Sequence, residues 1–517
     1  MLPGDVAQLV IARLDGDRLH ERFDHYLSLV KQGIGGFILF GGGLEEVIRA
    51  INDLQKASEI PLFIASDLEQ GLGQQVKGGT LFPKARAIAE AIDHEDKEDV
   101  RLLRDAIYIM AMEARAVGIN VILSPVLDVD TNPRNPIICT RSFSSDPEKV
   151  AWFGKEFIKG IQHQRTSAVE TQSLPDFPIG LSACAKHFPG HGDTEMDSHN
   201  ALPILKADME RLKKVELMPF LQAIKQGVDM IMVGHLRVDA VDPDMPSSLS
   251  EKVIRGLLRR QMGFNGLVLT DAMNMGGIRN YYSEQEACLL AIKSGADILL
   301  HPTSAETIIG SLLSNAPGIN KRVEESNIRI KAIKQKLKLS QYPVLSRKEW
   351  ESFIGKHRHQ EISRLITEKA VRVIKGRASL VSNSVVVIVD DDNSGAGDFF
   401  TDAVREGFPD VNSFYIDRDN LNKEKQEMLN HIKDRDTVIA IFSKIAAWKG
   451  RSGLDSSLHD FLTDALAIAK RSTIVSFGSP YILDGLKADN LIAAYWDSEL
   501  AQRAVARVMI GKGLMHR

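Results

Sequence analysis

Cysteine is nearly absent from this chain. Cys139, Cys184 and Cys288 are the only three in 517 residues, and their spacing suits neither a disulfide framework nor a zinc knuckle. They read as small buried hydrophobes in a reducing compartment. A charge excess is also lacking. A formal −4 over this length gives no footprint for nucleic acid or an anionic membrane, so neither is expected as a partner. No apolar run approaches the roughly 20 residues that a membrane span needs. Met1-Leu2-Pro3-Gly4-Asp5 lacks the basic start and apolar core of a signal peptide, which makes cytoplasmic residence the expectation. There is no internal repeat and no low-complexity tract. What is present, 44% hydrophobic and 26% charged residues, is ordinary for a globular protein with a sizeable core.

Over the first 310 residues or so, short apolar runs alternate with segments of helical period. The runs are Val6–Ala12, Gly36–Phe40, Leu62–Ala65, Val121–Ser124, Leu181–Ala185, Met230–Val233, Leu267–Thr270 and Ile298–Leu300. Being short and apolar throughout, they fit strands buried on both faces of a parallel sheet. Helices are expected at Asp99–Val117, at Met209–Gln226 ended by Gly227, and after a Ser250 cap up to Gly263. Eight strands alternating with helices point to a (β/α)8 TIM-type barrel, with a doubly wound open sheet as the alternative. The polar residues favour the barrel. Asp67, Asp128, Lys186 with His187, His235, Asp271 and His301 each follow a different strand, where catalytic barrels carry their chemistry. The expected domains are a catalytic barrel over 1–340, a connector over 341–380 and a smaller α/β/α sandwich over 381–517. That last part holds no Gly-x-Gly-x-x-Gly and no Walker loop, so nothing there supports nucleotide binding.

The densest chemistry lies in Lys186-His187-Phe188-Pro189-Gly190-His191-Gly192-Asp193-Thr194, continued through Asp197-Ser198-His199. Pro189, Gly190 and Gly192 shape an active-site loop at the end of a strand. Lys186 and His187 would face the barrel mouth and meet substrate hydroxyls, although Lys186 could instead sit in an interior ion pair. His187, His191 and Asp193 hint at a metal, but Phe188-Pro189-Gly190 rules out the helix that their spacing needs, so no metal or other cofactor is expected. Asp197 and His199 lie on one side of an extended segment, where a carboxylate makes a histidine a usable proton donor; a surface loop is the alternative. Asp271, ending Gly266-Leu267-Val268-Leu269-Thr270, suits a nucleophile or, less chemically, a helix N-cap. Asp67 and Arg141 complete a set fitted to a polyhydroxylated neutral substrate.

The long run from Lys186 to His199 resembles the signature of glycoside hydrolase family 3 β-N-acetylglucosaminidases. Ser124-Pro125-Val126-Leu127-Asp128-Val129, Arg141-Ser142-Phe143-Ser144, Met232-Val233-Gly234-His235 and Leu269-Thr270-Asp271-Ala272-Met273-Asn274-Met275 resemble the same family, as does Val475-Ser476-Phe477-Gly478-Ser479-Pro480-Tyr481 for its second domain. The resemblance implies Asp271 as nucleophile and His199, assisted by Asp197, as acid/base. It implies Asp67, Arg141, Lys186 and His187 as the residues holding the sugar in the −1 subsite. The expected function is a retaining exo-β-N-acetylglucosaminidase acting on small cell-wall-derived, muropeptide-like glycosides. A phosphorylase on the same scaffold and a non-catalytic sugar-binding relative are the alternatives. One loop departs from the pattern: Leu72 and Gln75 stand where many relatives carry arginines. Oligomeric state is left open.

Overall fold

The computed structural model describes residues 3–163, 180–196, 202–341, 347–445, 449 and 453–512. Packing divides the chain into two compact units. One comprises Met1–Phe82, Arg101–Asn132 and Ser142–Gln360, and the other Pro83–Val100, Pro133–Arg141 and Glu361–Arg517.

The first unit is a parallel (β/α)8 barrel. Its strands are β1 (Val10–Asp15), β2 (Gly36–Phe40), β3 (Phe63–Ser66), β4 (Val121–Ile122), β5 (Ser182–Phe188), β6 (Met230–Val233), β7 (Leu267–Thr270) and β8 (Leu299–Leu300). They pair in chain order, β8 returns to β1, and a bridge between Leu269 and Ile298 closes the circle. Every residue of β3, β6 and β7 is buried, as strands need when side chains fill the barrel on one face and helices cover the other.

Strand β5 runs on to Phe188, so Lys186 and His187 lie within it and not after it, and two further expected elements differ. The apolar run Val6–Ala12 does not form one strand: Val6 lies in a short helix, Pro3–Ala7, and β1 starts at Val10. Val6, Ala7, Leu9 and Val10 are all fully buried, so hydrophobicity alone could not mark the boundary. Met209–Gln226 is two helices, Met209–Lys214 and Leu217–Gln226. Pro219 has no N–H to give the Val215 carbonyl four residues back, and the chain breaks there. The Ser250 cap is present, its hydroxyl accepting from Val253 N–H at 3.2 Å, and Gly227 ends its helix at φ +83°.

Helix Asn320–Lys336 crosses the floor of the barrel. Along its length it meets residues that lead into three different strands: Asp297 before β8, Gly35 before β2 and Asp229 before β6. Leu337, just past its end, accepts from Gly180 N–H ahead of β5. Asp297 is fully buried and accepts five hydrogen bonds, from Arg259, Arg322, Arg329, Ser326 and the Val268 N–H. These contacts tie the helix to the N-terminal ends of the strands, opposite the C-terminal ends that carry the candidate chemistry.

The second unit is an α/β/α sandwich on a six-stranded sheet. Its strands are β9 (Arg372–Lys375), β10 (Val385–Asp390), β11 (Asn412–Asp417), β12 (Asp436–Phe442), β13 (Arg471–Ser476) and β14 (Asn490–Ala493), in the order 9-14-13-12-10-11. Only β9 runs antiparallel. Phe442 and Phe477 stack with ring centroids 4.6 Å apart in its core.

Candidate active site

The mouth of the barrel gathers charged side chains from several strand ends. Lys186, near the end of β5, is only 2% exposed, and a buried ammonium needs partners. It donates to Asp67 Oδ1 at 2.5 Å and pairs with Glu69 Oε1 at 2.9 Å, both from the loop after β3. The ion pair considered for Lys186 is therefore formed, and it lies at the mouth, where Asp67 keeps 27% of its side chain exposed. Glu69 was not singled out from the sequence. The alternation that put Asp197 and His199 on one side of an extended segment applies equally to Asp67 and Glu69.

Asp128 organises the turn after β5. Fully buried, it pairs with His187 Nδ1 at 2.7 Å and accepts from His187 N–H at 3.2 Å and His191 N–H at 2.7 Å. Burial works against its charge, but His187 and His191 outweigh that and hold its carboxyl below the usual range. An ionised Asp128 assigns the proton to His187 Nδ1. The turn itself admits only glycine at two places. A Cβ on Gly192 would come 1.7 Å from the Val129 carbonyl oxygen, and Gly190, at φ +130°, faces Glu216. Arg211 spans the outside of the turn, reaching Asp193 and Glu216 at 3.2 Å each.

His191 is buried against Thr194, Nδ1 to Oγ1 at 2.8 Å, and burial pushes its pKa down to about 4. It and His187 bond to different partners, with ring centroids 6.2 Å apart. Among the described residues no group of three His, Cys, Asp or Glu could hold a metal ion.

Asp271 follows β7 directly and is not a helix cap, because the next helix starts at Gly276 with Met275 at the cap position. Its N–H donates to Val233 O at 3.0 Å, and its Oδ1 accepts from Ala272 N–H at 2.8 Å. His235 steadies the same residue from its other side: Nε2 donates to Ala272 O at 3.0 Å while Nδ1 accepts from the Ser248 hydroxyl at 2.7 Å. Burial pushes the Cys184 thiol up, Lys186 opposes, and the charges of Asp67 and Asp271 reinforce it. His301, at φ +48°, stands 3.5 Å from Asn274 and is held down to about 4 by burial and by Arg13, with Asp67 opposing.

Arg141 falls in the segment Pro133–Arg141, grouped with the second unit, where its guanidinium donates to Ile137 O at 3.3 Å. Asp197 and His199 lie outside the described residues. Leu72 is fully buried, and Gln75 joins Gly41 N–H to Asp67 O at 3.3 Å each. Here the departing pair supports the loop that carries Asp67.

Residues 2–338 match the model described as glycosyl hydrolase family 3 N terminal domain. The chain belongs to glycosyl hydrolase family 3. It is therefore a glycoside hydrolase. A family 3 β-N-acetylglucosaminidase structure from Paenibacillus sp. str. FPU-7 superposes with a TM-score of 0.84 at 28% identity, covering 99% of this chain and 97% of that one. A β-N-acetylglucosaminidase/β-glucosidase of Cellulomonas fimi is 29% identical over 75% of this chain and 71% of its own length. A β-hexosaminidase of Idiomarina loihiensis is 32% identical over 53% and 77% respectively. No helix among the described residues is long and apolar enough to cross a membrane.

Proposed function

We propose that this family 3 member is a retaining exo-β-N-acetylglucosaminidase that acts in the cytoplasm on small cell-wall-derived glycosides, with Asp271 as nucleophile. The observation that carries the reading is a carboxylate at the C-terminal end of β7, oriented by Ala272 N–H, in the same barrel whose C-terminal strand ends carry Lys186 and Asp67. The names of the relatives from Paenibacillus and Cellulomonas support N-acetylglucosamine as the sugar, and that of the Idiomarina relative supports a hexosaminide.

The chemistry follows from these groups. Asp271 attacks the anomeric carbon as the glycosidic bond breaks, and the leaving oxygen takes a proton from His199, which Asp197 assists. A covalent glycosyl–Asp271 ester results, and water, deprotonated by the same histidine, displaces it; two inversions retain configuration. Lys186 bridges Asp67 and Glu69 and holds them in place, so Asp67 can accept hydrogen bonds from sugar hydroxyls. With Nδ1 committed to Asp128, His187 presents Nε2 to the substrate. The family resemblance implies a sugar-binding role for Arg141 as well.

A panel of aryl β-N-acetylglucosaminide, glucoside and xyloside tests the reading. Wild type should prefer the first, and Asp271→Ala should lose at least about a thousandfold in kcat. His199→Ala should spare substrates with good leaving groups. Full activity in Asp271→Ala overturns the assignment. Assays with and without inorganic phosphate, scored for sugar 1-phosphate, separate hydrolysis from phosphorolysis.

A further inference from the structure

A second cluster of charge sits at the other end of the barrel and plays no part in this chemistry. A cavity of about 220 Å³ opens beside the floor between helix Lys252–Gln261 and helix Asn320–Lys336. Five arginines line it: Arg255, Arg259 and Arg260 from the first helix, Arg322 and Arg329 from the second. Glu251 and Glu325 line it too, and Asp297 lies behind. Five cations against three carboxylates leave an excess of two positive charges in one recess.

The arginines fall into two groups. Arg259, Arg322 and Arg329 are spent on Asp297. Arg322 also takes the Ile292 and Ala296 carbonyls, so the helix end at Gly295 presents little negative charge to the cavity. Arg255 and Arg260 are different. The nearest carboxylate to Arg255 is Glu325 at 3.8 Å, beyond hydrogen-bonding distance, and Arg260 contributes only its Nε, to Arg255 O at 3.3 Å. Gly295 keeps the recess open: it sits at φ +119°, and a Cβ there would come 2.9 Å from Arg255 Cγ. The surplus is felt within the cluster. Burial lowers the Arg259 pKa, Asp297 opposes, and the charges of Arg329 and Arg322 lower it further.

We propose that this cavity is a binding site for a small phosphate-class oxyanion, free phosphate or a phosphomonoester, gripped by Arg255 and Arg260 beside the floor helix. Guanidinium forks match phosphate oxygens in pairs, and a recess with net positive charge concentrates anions. A bound oxyanion would occupy the recess between helix Lys252–Gln261 and helix Asn320–Lys336 and stabilise the folded barrel by linkage.

The test is melting temperature and calorimetric titration at low ionic strength with inorganic phosphate and, separately, glycerol phosphate, against potassium chloride at matched ionic strength. Wild type should show saturable binding and a rise in melting temperature with at least one of the two phosphates and none with chloride. Arg255→Gln/Arg260→Gln should bind at least about tenfold more weakly, since two charge-assisted contacts are lost, while its glycosidase rate stays at the wild-type value. Glu251→Gln should bind more tightly. A phosphate response equal in wild type and the double variant, as binding at the catalytic mouth would give, overturns the proposal. So does a response that chloride reproduces.

Discussion

The two ends of the barrel both carry buried charge, and they use it in opposite ways. At the floor, Asp297 accepts five hydrogen bonds and is inaccessible to water. At the mouth, Lys186 is equally buried, yet Asp67, its partner, remains partly exposed. Saturated charge fixes a structure, and charge that is satisfied on one side only can still meet a ligand. Position alone therefore does not make a residue functional; what matters is whether the protein has used up its hydrogen-bonding capacity.

Breaking the floor should cost the most stability. Asp297→Ala leaves Arg259, Arg322 and Arg329 facing one another, and should lower unfolding free energy by about 3–5 kcal/mol with kcat of the folded fraction unchanged. Denaturant titration and active-site-normalised kinetics check both halves. The same substitution in reverse logic, Lys186→Met at the mouth, should cost activity more than stability. A kcat/KM drop of about a hundredfold is expected for a displaced positioning group, because Asp67 and Glu69 then repel across the gap the ammonium filled.

The ends should also separate by pH. His191 is depressed from its ordinary 6.5 to about 4, so its uncharged form stabilises the fold above pH 6.5, and that contribution is lost as pH falls toward 4. Lys334 in the floor, holding Gln8 and Gly35 and stacked 4.8 Å from the Phe63 ring, is depressed by burial from 10.5 to about 7. Its stabilising contribution is present above pH 10.5 and is lost as pH falls to about 7. Each slope is at most about 1.4 kcal/mol per pH unit. His191→Gln should flatten only the acid window and Lys334→Met only the alkaline one, read from melting temperature against pH. The smallest effect is expected from Gln75→Ala, about 1 kcal/mol for hydrogen bonds that only support the Asp67 loop.

Much of this was legible in the residues. Gly36–Phe40, Met230–Val233 and Leu267–Thr270 were bounded as observed, because Gly or Asp flanks each apolar run and buried parallel strands are apolar throughout. Strand β9 was not, since three of its four residues are exposed and an edge strand shows no apolar run. Strand β14, Asn490–Ala493, is apolar but short, and its run continues into Ala494 and Tyr495 without a boundary. In the site, Asp67 and Asp271 could be picked out by their place after a strand, and Lys186 and His187 by following an apolar run, although the strand itself extends through them to Phe188. The use of Asp128 as a clamp on two backbone N–H groups could not, because that depends on how a turn folds back over 59 residues of separation and more. The Asp297 arginine cluster was equally hidden: its members are spread over three elements, each ordinary alone.

The central claim is that Asp271, and no other carboxylate at the mouth, becomes covalently bonded to the sugar. Mass spectrometry of peptides from enzyme treated with a slow, fluorinated N-acetylglucosaminyl donor tests it directly. The sugar should be found on the peptide containing Asp271 and should be released on further incubation. A label on Asp67, Glu69 or Asp128 with none on Asp271, or turnover of that donor with inverted configuration, would contradict the account.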